Sequence, residues 1–174
     1  MDTRSAAEPT MTTIDRTTIE RTSELELVVT RTIDGPRDVV FEAWTDAELF
    51  RQWWVPASMG LKLLSCEVDA RVGGGYRLTF DIGADEPMAF FGRYLEVTPP
   101  TRLVWTNEEG DEGTIVTTVT FEDDGAGTRL VVHDLYPSKE VLDAAVASGS
   151  TGWNAESFDQ LDELLVKRGT STRG

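Results

Sequence analysis

One apolar stripe near the end of the chain limits what the whole sequence can fold into. Between residues 141 and 166, apolar residues recur three and four positions apart, the period of one helical face. The strongest part of the stripe is Trp153, Phe158, Leu161, Leu164 and Leu165. The chain from Leu25 to Leu135 instead reads mostly as short strand-like segments. A sheet joined to one long helix must bury that helix against one of its faces, so function depends on what lies between them.

The strand-like segments predict seven strands joined by short turns. They cover residues 25–33, 61–69, 76–81, 88–97, 102–107, 114–122 and 128–135. Two short helices are predicted after the first strand, the second running from Ala47 to about Trp53 with Thr45 or Asp46 as its N-cap. Short turns favour antiparallel pairing, and a twisted sheet curls around a helix. The order predicts an α+β fold: a curved antiparallel sheet of about seven strands around a long C-terminal helix.

The two ends of the chain differ from the rest in composition. Residues 1–23 are rich in Thr, Ser, Glu and Arg, and contain only Ile14 and Ile19 as branched apolar residues. A segment so poor in apolar residues is not expected to bury enough surface to order itself. We therefore expect a flexible N-terminal tail over residues 1–23, one domain over residues 24–168 and a flexible C-terminal tail over residues 169–174.

Charge and composition argue against several kinds of function. The net charge of −15 would repel nucleic acid, and no basic stripe offsets it. With one His and one Cys the chain lacks the ligands of a zinc site, and we expect neither metal nor cofactor. No apolar run approaches the roughly 20 residues of a membrane span. We also find no secretory signal pattern and expect a cytoplasmic protein; a homodimer stays open.

Alternation along the strands assigns one set of side chains to the inner face of the sheet. The set is Tyr76, Leu78, Phe80, Phe90, Gly92, Tyr94, Leu103, Trp105, Val119, Phe121, Leu130, Val132 and Asp134. These residues are nearly all apolar, which suits a pocket for an apolar ligand and a filled core equally well. Gly92 has no side chain, which inside a strand predicts a close approach of the helix or a cavity.

The chain has five tryptophans, more than core packing requires. We predict that several of them line a pocket, and that one of the adjacent pair Trp53 and Trp54 lies at its rim. The predicted ligand-binding residues are Trp44, Trp53, Tyr76, Phe80, Phe90, Tyr94, Trp105, Asp134 and Trp153. Asp134 would be a polar anchor whose pKa rises if it is buried. No catalytic residue is assigned.

Several motifs occur in an order that resembles a known family. They are RTIDGP at residues 31–36, VFEAWTD at 40–46, WWVP at 53–56, DARVGG at 69–74, GRYLEVTPP at 92–100 and GW at 152–153. Together they resemble the SRPBCC superfamily, and within it the bacterial proteins homologous to the C-terminal domain of the activator of the ninety-kilodalton heat-shock-protein ATPase. The resemblance implies a helix-grip fold with an apolar cavity between the sheet and the C-terminal helix. It also aligns Asp134, preceded by His133, with a position where family members often carry histidine.

Three functions follow from this reading. The first is binding of a small hydrophobic or amphipathic molecule in the cavity, without cofactor or covalent chemistry. The second is an enzyme of the cyclase, dehydratase or hydrolase kind, with Asp134 or an inward tyrosine as acid or base, which requires at least two convergent polar groups. The third is a chaperone-associated cofactor that acts through a protein surface, in a stress response. The eukaryotic activators carry a separate N-terminal domain, and only about 23 residues precede the first strand here, which argues against a chaperone partner.

Overall fold

A computed structural model describes residues 10–14, 17–55, 58, 60–83, 85–108, 113–125, 127–148 and 153–167. Within these ranges the chain forms nine strands and four helices. The strands are β1 (Thr10–Ile14), β2 (Thr17–Arg21), β3 (Glu26–Ile33), β4 (Lys62–Val68), β5 (Gly75–Asp81), β6 (Met88–Thr98), β7 (Arg102–Asn107), β8 (Ile115–Asp124) and β9 (Gly127–Leu135). The helices are α1 (Arg37–Thr45), α2 (Ala47–Trp53), α3 (Lys139–Ser148) and α4 (Trp153–Lys167).

All of the strands in the described ranges belong to one antiparallel sheet. Their order across the sheet is β1-β2-β3-β9-β8-β7-β6-β5-β4, so β1 and β4 are its edges. The seven strands from β3 to β9 are those that alternation predicted, and α4 packs along the inner face of the sheet. The predicted α+β class and helix-grip arrangement are confirmed.

The N-terminal segment departs from the prediction of a flexible tail. Within residues 1–23, β1 and β2 pair with each other, and β2 pairs with β3 through Thr18 opposite Thr30 and Ile19 opposite Val29. Composition misled here because β-branched Thr and Ile favour strands even in a polar segment. Ile19 is buried in the core, and the buried Thr17 hydroxyl accepts a hydrogen bond from a charged side chain. The predicted tail at residues 169–174 lies outside the described residues.

Two short helices follow β3 as predicted and place aromatic side chains over the sheet. Pro36 precedes α1, where its missing N–H costs no helical hydrogen bond. Asp46 caps α2, since its carboxylate accepts from the backbone N–H groups of Glu48 at 2.9 Å and Leu49 at 3.3 Å. The cap fixes the angle between the helices, so that Trp44 of α1 and Trp53 of α2 meet beneath α4.

The C-terminal apolar stripe forms two helices in the described ranges. The first, α3, begins directly after β9, and the second, α4, has fifteen residues. The side of α4 that faces the sheet is almost wholly buried and comprises Ala155, Ser157, Phe158, Leu161, Leu164 and Leu165. The helix begins near the predicted position, and its apolar stripe covers the sheet.

The inner face of the sheet carries a buried arginine. Arg31 of β3 is only 2% exposed. Its guanidinium lies 2.8 Å from a carboxylate oxygen of Asp159 and 2.7 Å from one of Asp162, both on α4. It also donates to the Thr17 hydroxyl at 3.1 Å, and Asp162 in turn accepts from the backbone N–H of Asp34 at 3.0 Å. These bonds fasten α4 to β3 through Asp159 in the middle of the helix and Asp162 one turn further on.

Candidate functional site

Aromatic side chains from α1, the end of α2 and three strands meet over the inner face of the sheet, where Trp44 also contacts Phe158 of α4. They are Trp44, Phe50, Trp54, Tyr76, Tyr94 and Trp105, here called the aromatic cluster, and they enclose a cavity of about 10 Å³. A cavity of that volume holds about one water molecule. The apolar cavity that the resemblance implies is therefore nearly filled by side chains at this place, and a larger ligand would have to displace one of them.

Trp44 occupies the centre of the aromatic cluster. It is 1% exposed, and its ring centroid lies 4.7 Å from that of Trp53, 5.6 Å from Trp105 and 5.8 Å from Trp54. Its Nε1–H is buried and has no hydrogen bond partner among the described residues, whereas the Nε1–H of Trp53 donates to the Ala43 carbonyl at 3.0 Å. A buried donor left unpaired costs about 1–3 kcal/mol.

Trp54 is the wall of the cavity with the weakest burial. Trp53 is fully buried, while Trp54 at the end of α2 is only partly buried and lies at the rim. The Trp54 ring stacks on Phe50 with a centroid distance of 4.9 Å. Its backbone carbonyl accepts a hydrogen bond of 2.6 Å from the Ser157 hydroxyl of α4. The backbone at Trp54 is therefore fastened to α4, while its ring packs against other aromatic rings at the rim.

The backbone beside Trp54 is also fastened to α4. Gln160 donates to the carbonyl of Trp53 and to that of Val55, both at 2.9 Å. The Glu156 carboxylate accepts from both the backbone N–H and the hydroxyl of Ser58. The end of α2 and residues 156–160 of α4 thus form one connected wall, because hydrogen bonds join them at several points.

A chain of hydrogen bonds leads from the aromatic cluster across the sheet to Asp134. The Tyr76 hydroxyl donates to Asn107 Oδ1 at 2.7 Å, and Asn107 Nδ2 donates to Thr117 Oγ1 at 2.8 Å. The Thr117 hydroxyl then donates to Asp134 Oδ1 at 2.6 Å. The four residues lie on β5, β7, β8 and β9. This polar chain places a carboxylate at one end and a phenol of the aromatic cluster at the other.

The neighbours of Asn107 fix the direction of the polar chain. The indole N–H of Trp105, which can only donate, lies 3.3 Å from Asn107 Oδ1. The Ile115 carbonyl, which can only accept, lies 3.4 Å from Asn107 Nδ2. The amide therefore has one satisfactory orientation, so Thr117 accepts from Asn107 and its own proton is left for Asp134.

Asp134 sits in a different environment from its neighbour His133. Burial raises the pKa of Asp134 to about 6, an effect that the Thr117 hydrogen bond and His133 partly offset. Burial and the nearby Asp134 charge together raise the pKa of Tyr136. His133 points away and lies 3.0 Å from a carboxylate oxygen of Glu26. Only Asp134 of this pair can serve the interior of the protein.

The structure brings together part of the predicted set of ligand-binding residues. Trp44, Tyr76, Tyr94 and Trp105 line the cavity. Trp53 lies behind Trp44, and Phe80 and Phe90 contact each other at a centroid distance of 5.6 Å without lining it. Asp134 is connected to Tyr76 through the polar chain. Trp153 begins α4, but its side chain lies outside the described residues.

Four residues of the site were not among those predicted to bind ligand: Phe50, Trp54, Asn107 and Thr117. Alternation carried the signal for two of them. Asn107 shares a face of β7 with Leu103 and Trp105, and Thr117 shares a face of β8 with Val119 and Phe121. A polar residue continuing an inward apolar series thus indicates a buried polar group.

Gly92 marks a close approach, but not of the helix. A Cβ atom at this position would lie 1.7 Å from the Thr106 carbonyl oxygen of β7 and 3.0 Å from Cε1 of Tyr76. The prediction of an approach by the helix is therefore wrong. The missing side chain gives room to the neighbouring strand and to the Tyr76 ring, which holds the first residue of the polar chain in place.

Two further findings concern the described residues. No group of three or more His, Cys, Asp or Glu side chains there is arranged to hold a metal ion. No helix there is long and apolar enough to cross a membrane.

The single cysteine, Cys66, is half-buried, and burial raises the pKa of its thiol to about 11, so it is a thiol at neutral pH.

Comparison with known proteins gives a family and a fold. Residues 34–166 match the family model described as Activator of Hsp90 ATPase homolog 1-like protein. A solved protein from Rhodobacter sphaeroides is 22% identical with a TM-score of 0.78, covering 87% of this chain and 98% of its own. One from Chromobacterium violaceum is 31% identical with a TM-score of 0.63, covering 80% and 96%. CalU16 from Micromonospora echinospora is 21% identical with a TM-score of 0.56, covering 95% and 86%. A search of curated protein sequences finds no match.

Proposed function

The chain belongs to the Activator of Hsp90 ATPase homolog 1-like family, and from this membership and the aromatic cluster we propose that it binds a small hydrophobic or amphipathic molecule between the sheet and α4. The helix-grip fold is generally a scaffold for ligands. The observation that carries the proposal is the cavity at the centre of the cluster, whose walls are six aromatic side chains. Ligand pockets are typically lined in this way, by apolar and aromatic walls with a few polar groups.

Binding requires the aromatic cluster to open, because about 10 Å³ cannot hold an organic molecule. We assign the opening movement to the Trp54 side chain. It is partly exposed at the rim, and its backbone is held by Ser157 independently of the ring. Rotation of the indole away from Phe50 would leave Trp44, Tyr94 and Trp105 as the floor of an enlarged pocket. The cost of this rotation lowers the observed affinity.

The polar chain supplies the amphipathic part of the proposal. Tyr76 belongs both to the cavity wall and to the polar chain. A ligand bound beside the Tyr76 ring would therefore meet apolar walls on most sides and a polar edge on one. Because the polar edge is already hydrogen-bonded internally, it orients a ligand without leaving buried polar groups unpaired when the site is empty.

The experiment is a fluorescence titration with the neutral apolar dye N-phenyl-1-naphthylamine. We expect saturable binding to the wild-type protein and about fivefold to tenfold tighter binding to Trp54→Ala, because the ring no longer has to be displaced. Leu95→Ala, at a 49% exposed position on the other face of β6, is the matched control and should bind like wild type. Absence of saturable binding to both the wild type and Trp54→Ala would refute the proposal.

A second candidate function, an enzyme using acid or base catalysis in the same place, is favoured by the polar chain ending at Asp134. A carboxyl group with a pKa of about 6 can exchange protons near neutral pH. The test is exchange of the protons next to the carbonyl of 2-tetralone in D₂O, followed by NMR. An enzyme would accelerate this exchange in the wild type and lose the effect in Asp134→Asn, which should still bind the dye. Equal rates in both proteins would remove this candidate.

A further inference from the structure

Six side chains line the cavity. Among the described residues, Trp44 is the only one of these six with a fully buried polar atom that has no hydrogen bond partner. The Trp105 indole donates to Asn107, and the Tyr76 hydroxyl donates to the same residue. The indole N–H of Trp44 is thus a buried donor without a partner among the described residues, and it belongs to a side chain that lines the cavity. A buried donor without a partner needs an explanation, and at the wall of a cavity a ligand that accepts from it provides one.

A water molecule is a poor acceptor for this site. The cavity volume of about 10 Å³ is at the lower limit for one water. A buried water normally makes about three hydrogen bonds, whereas the six walls of this cavity are aromatic rings. An organic molecule with one acceptor atom on an apolar skeleton suits the site better. The acceptor atom forms the single hydrogen bond to the indole N–H, and the carbon atoms of the skeleton contact the aromatic walls.

Charge decides between neutral and anionic acceptors. None of the six side chains lining the cavity carries a positive charge. The chain as a whole has a net charge of −15, and the polar chain leads to a carboxylate at Asp134. A carboxylate or phosphate would enter this apolar site without a counter-charge, at a large cost in desolvation.

Resting on the proposed function, we infer that the ligand is a neutral aromatic or polycyclic molecule carrying one acceptor oxygen, such as a ketone, which accepts the hydrogen bond from Trp44 Nε1. The aromatic walls then contact the rings of the ligand in edge-to-face and offset geometries, as they contact one another here. The oxygen gives the ligand one orientation in the pocket. Trp44 is accordingly the residue that sets specificity for the ketone over the hydrocarbon.

The test compares 9-fluorenone with fluorene, which has nearly the same shape but lacks the oxygen. Each is titrated by displacement of N-phenyl-1-naphthylamine from the wild type and from protein carrying 3-benzothienylalanine at position 44, where sulfur replaces the N–H with little change in ring shape. For each protein the affinity for fluorenone is divided by the affinity for fluorene, and the two ratios are compared. Differences between the ligands in solubility are the same for both proteins and therefore cancel. We expect the preference for fluorenone to fall about tenfold in the substituted protein.

Four outcomes decide the inference. A preference that is the same in both proteins overturns it, while saturable fluorene binding would leave the proposed function standing. If the wild type binds the dye but neither compound displaces it, the inference is overturned and the proposed function stands; if the dye itself does not bind to the wild type or to Trp54→Ala, both are refuted. Tighter binding of fluorene-9-carboxylate than of fluorenone overturns the choice of a neutral acceptor. Trp44→Phe, compared with Leu95→Ala by thermal unfolding, provides a second variant, because phenylalanine keeps an aromatic ring and also lacks the N–H.

Discussion

Two stretches of α4 are attached to the rest of the protein by different interactions, ion pairs in one and hydrogen bonds with aromatic contacts in the other. Between residues 159 and 165 the buried Arg31 guanidinium pairs with Asp162, whose side chain is 14% exposed, and with Asp159, whose side chain is 36% exposed. Packing there is tight enough that a Cβ at Gly35 would lie 3.0 Å from Leu165. Through Ser157 and Gln160, α4 is hydrogen-bonded to the end of α2, and its Phe158 contacts Trp44 of the aromatic cluster. We call the first set of contacts the ionic end and the second the aromatic end; they meet at residues 159 and 160, in the middle of the helix.

The two ends differ in what they contribute: the ionic end mainly stabilises the fold, and the aromatic end provides the proposed binding site. Removing a partner at the ionic end leaves a buried charge, which is among the costliest changes in a folded protein. At the aromatic end the wall includes the partly exposed ring of Trp54 and the unpaired Nε1–H of Trp44. The free-energy cost of leaving that donor unpaired is already present in the empty protein, and a ligand that accepts from it would remove it. Because the ionic end stays attached, the aromatic end can open without unfolding the protein. Local stability is commonly distributed in this uneven way.

The largest expected effect comes from breaking the ionic end. Arg31→Met should lower the free energy of unfolding by about 3 kcal/mol, because Asp162 and Thr17 lose their buried partner. Arg37→Met is the matched control, since the Arg37–Asp123 pair is exposed and should contribute less than about 1 kcal/mol. Urea unfolding followed by circular dichroism measures both. A loss below that of the control would show that the ionic end does not anchor α4.

The second prediction concerns pH at the aromatic end. The pKa of Asp134 is raised by burial from 3.8 to about 6. Between these values the folded protein holds a proton that the unfolded chain has lost, so this group's contribution to stability falls as pH rises through the interval and stays low above it. Asp134→Asn cannot ionise. Relative to wild type it should therefore gain about 2 kcal/mol in unfolding free energy between about pH 4 and pH 7.5.

The measurement is urea unfolding of the two proteins at both pH values. A difference that stays constant with pH would mean that Asp134 is not held in an apolar environment. Thr117→Val provides a further check, because it removes the hydroxyl that favours the ionised form. The pKa of Asp134 should then rise further, which can be followed by NMR of the carboxyl carbon.

The smallest effect is expected from loosening the wall that carries Trp54. Gln160→Met keeps the length of the side chain but removes its two hydrogen bonds to the carbonyls of Trp53 and Val55. We expect a loss of about 1–2 kcal/mol in unfolding free energy. Stopped-flow mixing with N-phenyl-1-naphthylamine should show faster association, since the wall opens more readily. Unchanged association with reduced stability would mean that the dye does not pass this wall.

Sequence periodicity was sufficient for the parts of the fold that bury large apolar faces. The strands β3 to β9, the cap at Asp46 and the apolar side of α4 all follow from spacing, because burial imposes a period on the residues. The N-terminal hairpin did not follow from composition, since its stability depends on pairing with β3 and on Arg31 binding Thr17. Such partners are distant in the chain and leave no local pattern.

The site was predictable in composition but not in volume. Alternation placed Tyr76, Tyr94 and Trp105 on the inner face, where they line the cavity. Whether the space among them is open depends on how Phe50 and Trp54 turn at the end of α2, which periodicity does not determine. The polar chain was missed as a unit because its members lie on four strands, and only the register of the sheet brings Thr117 opposite Asp134.

The most direct measurement is the indole region of a ¹H–¹⁵N NMR spectrum during titration with 9-fluorenone. If the aromatic cluster opens to bind the ligand, the Nε1–H signal of Trp44 moves downfield as it gains an acceptor, and the signal of Trp54 shifts with it. The Nε–H of Arg31, also buried without a partner among the described residues, lies at the ionic end and should stay unchanged. A saturating titration in which the Trp44 signal does not move would contradict binding at the aromatic cluster.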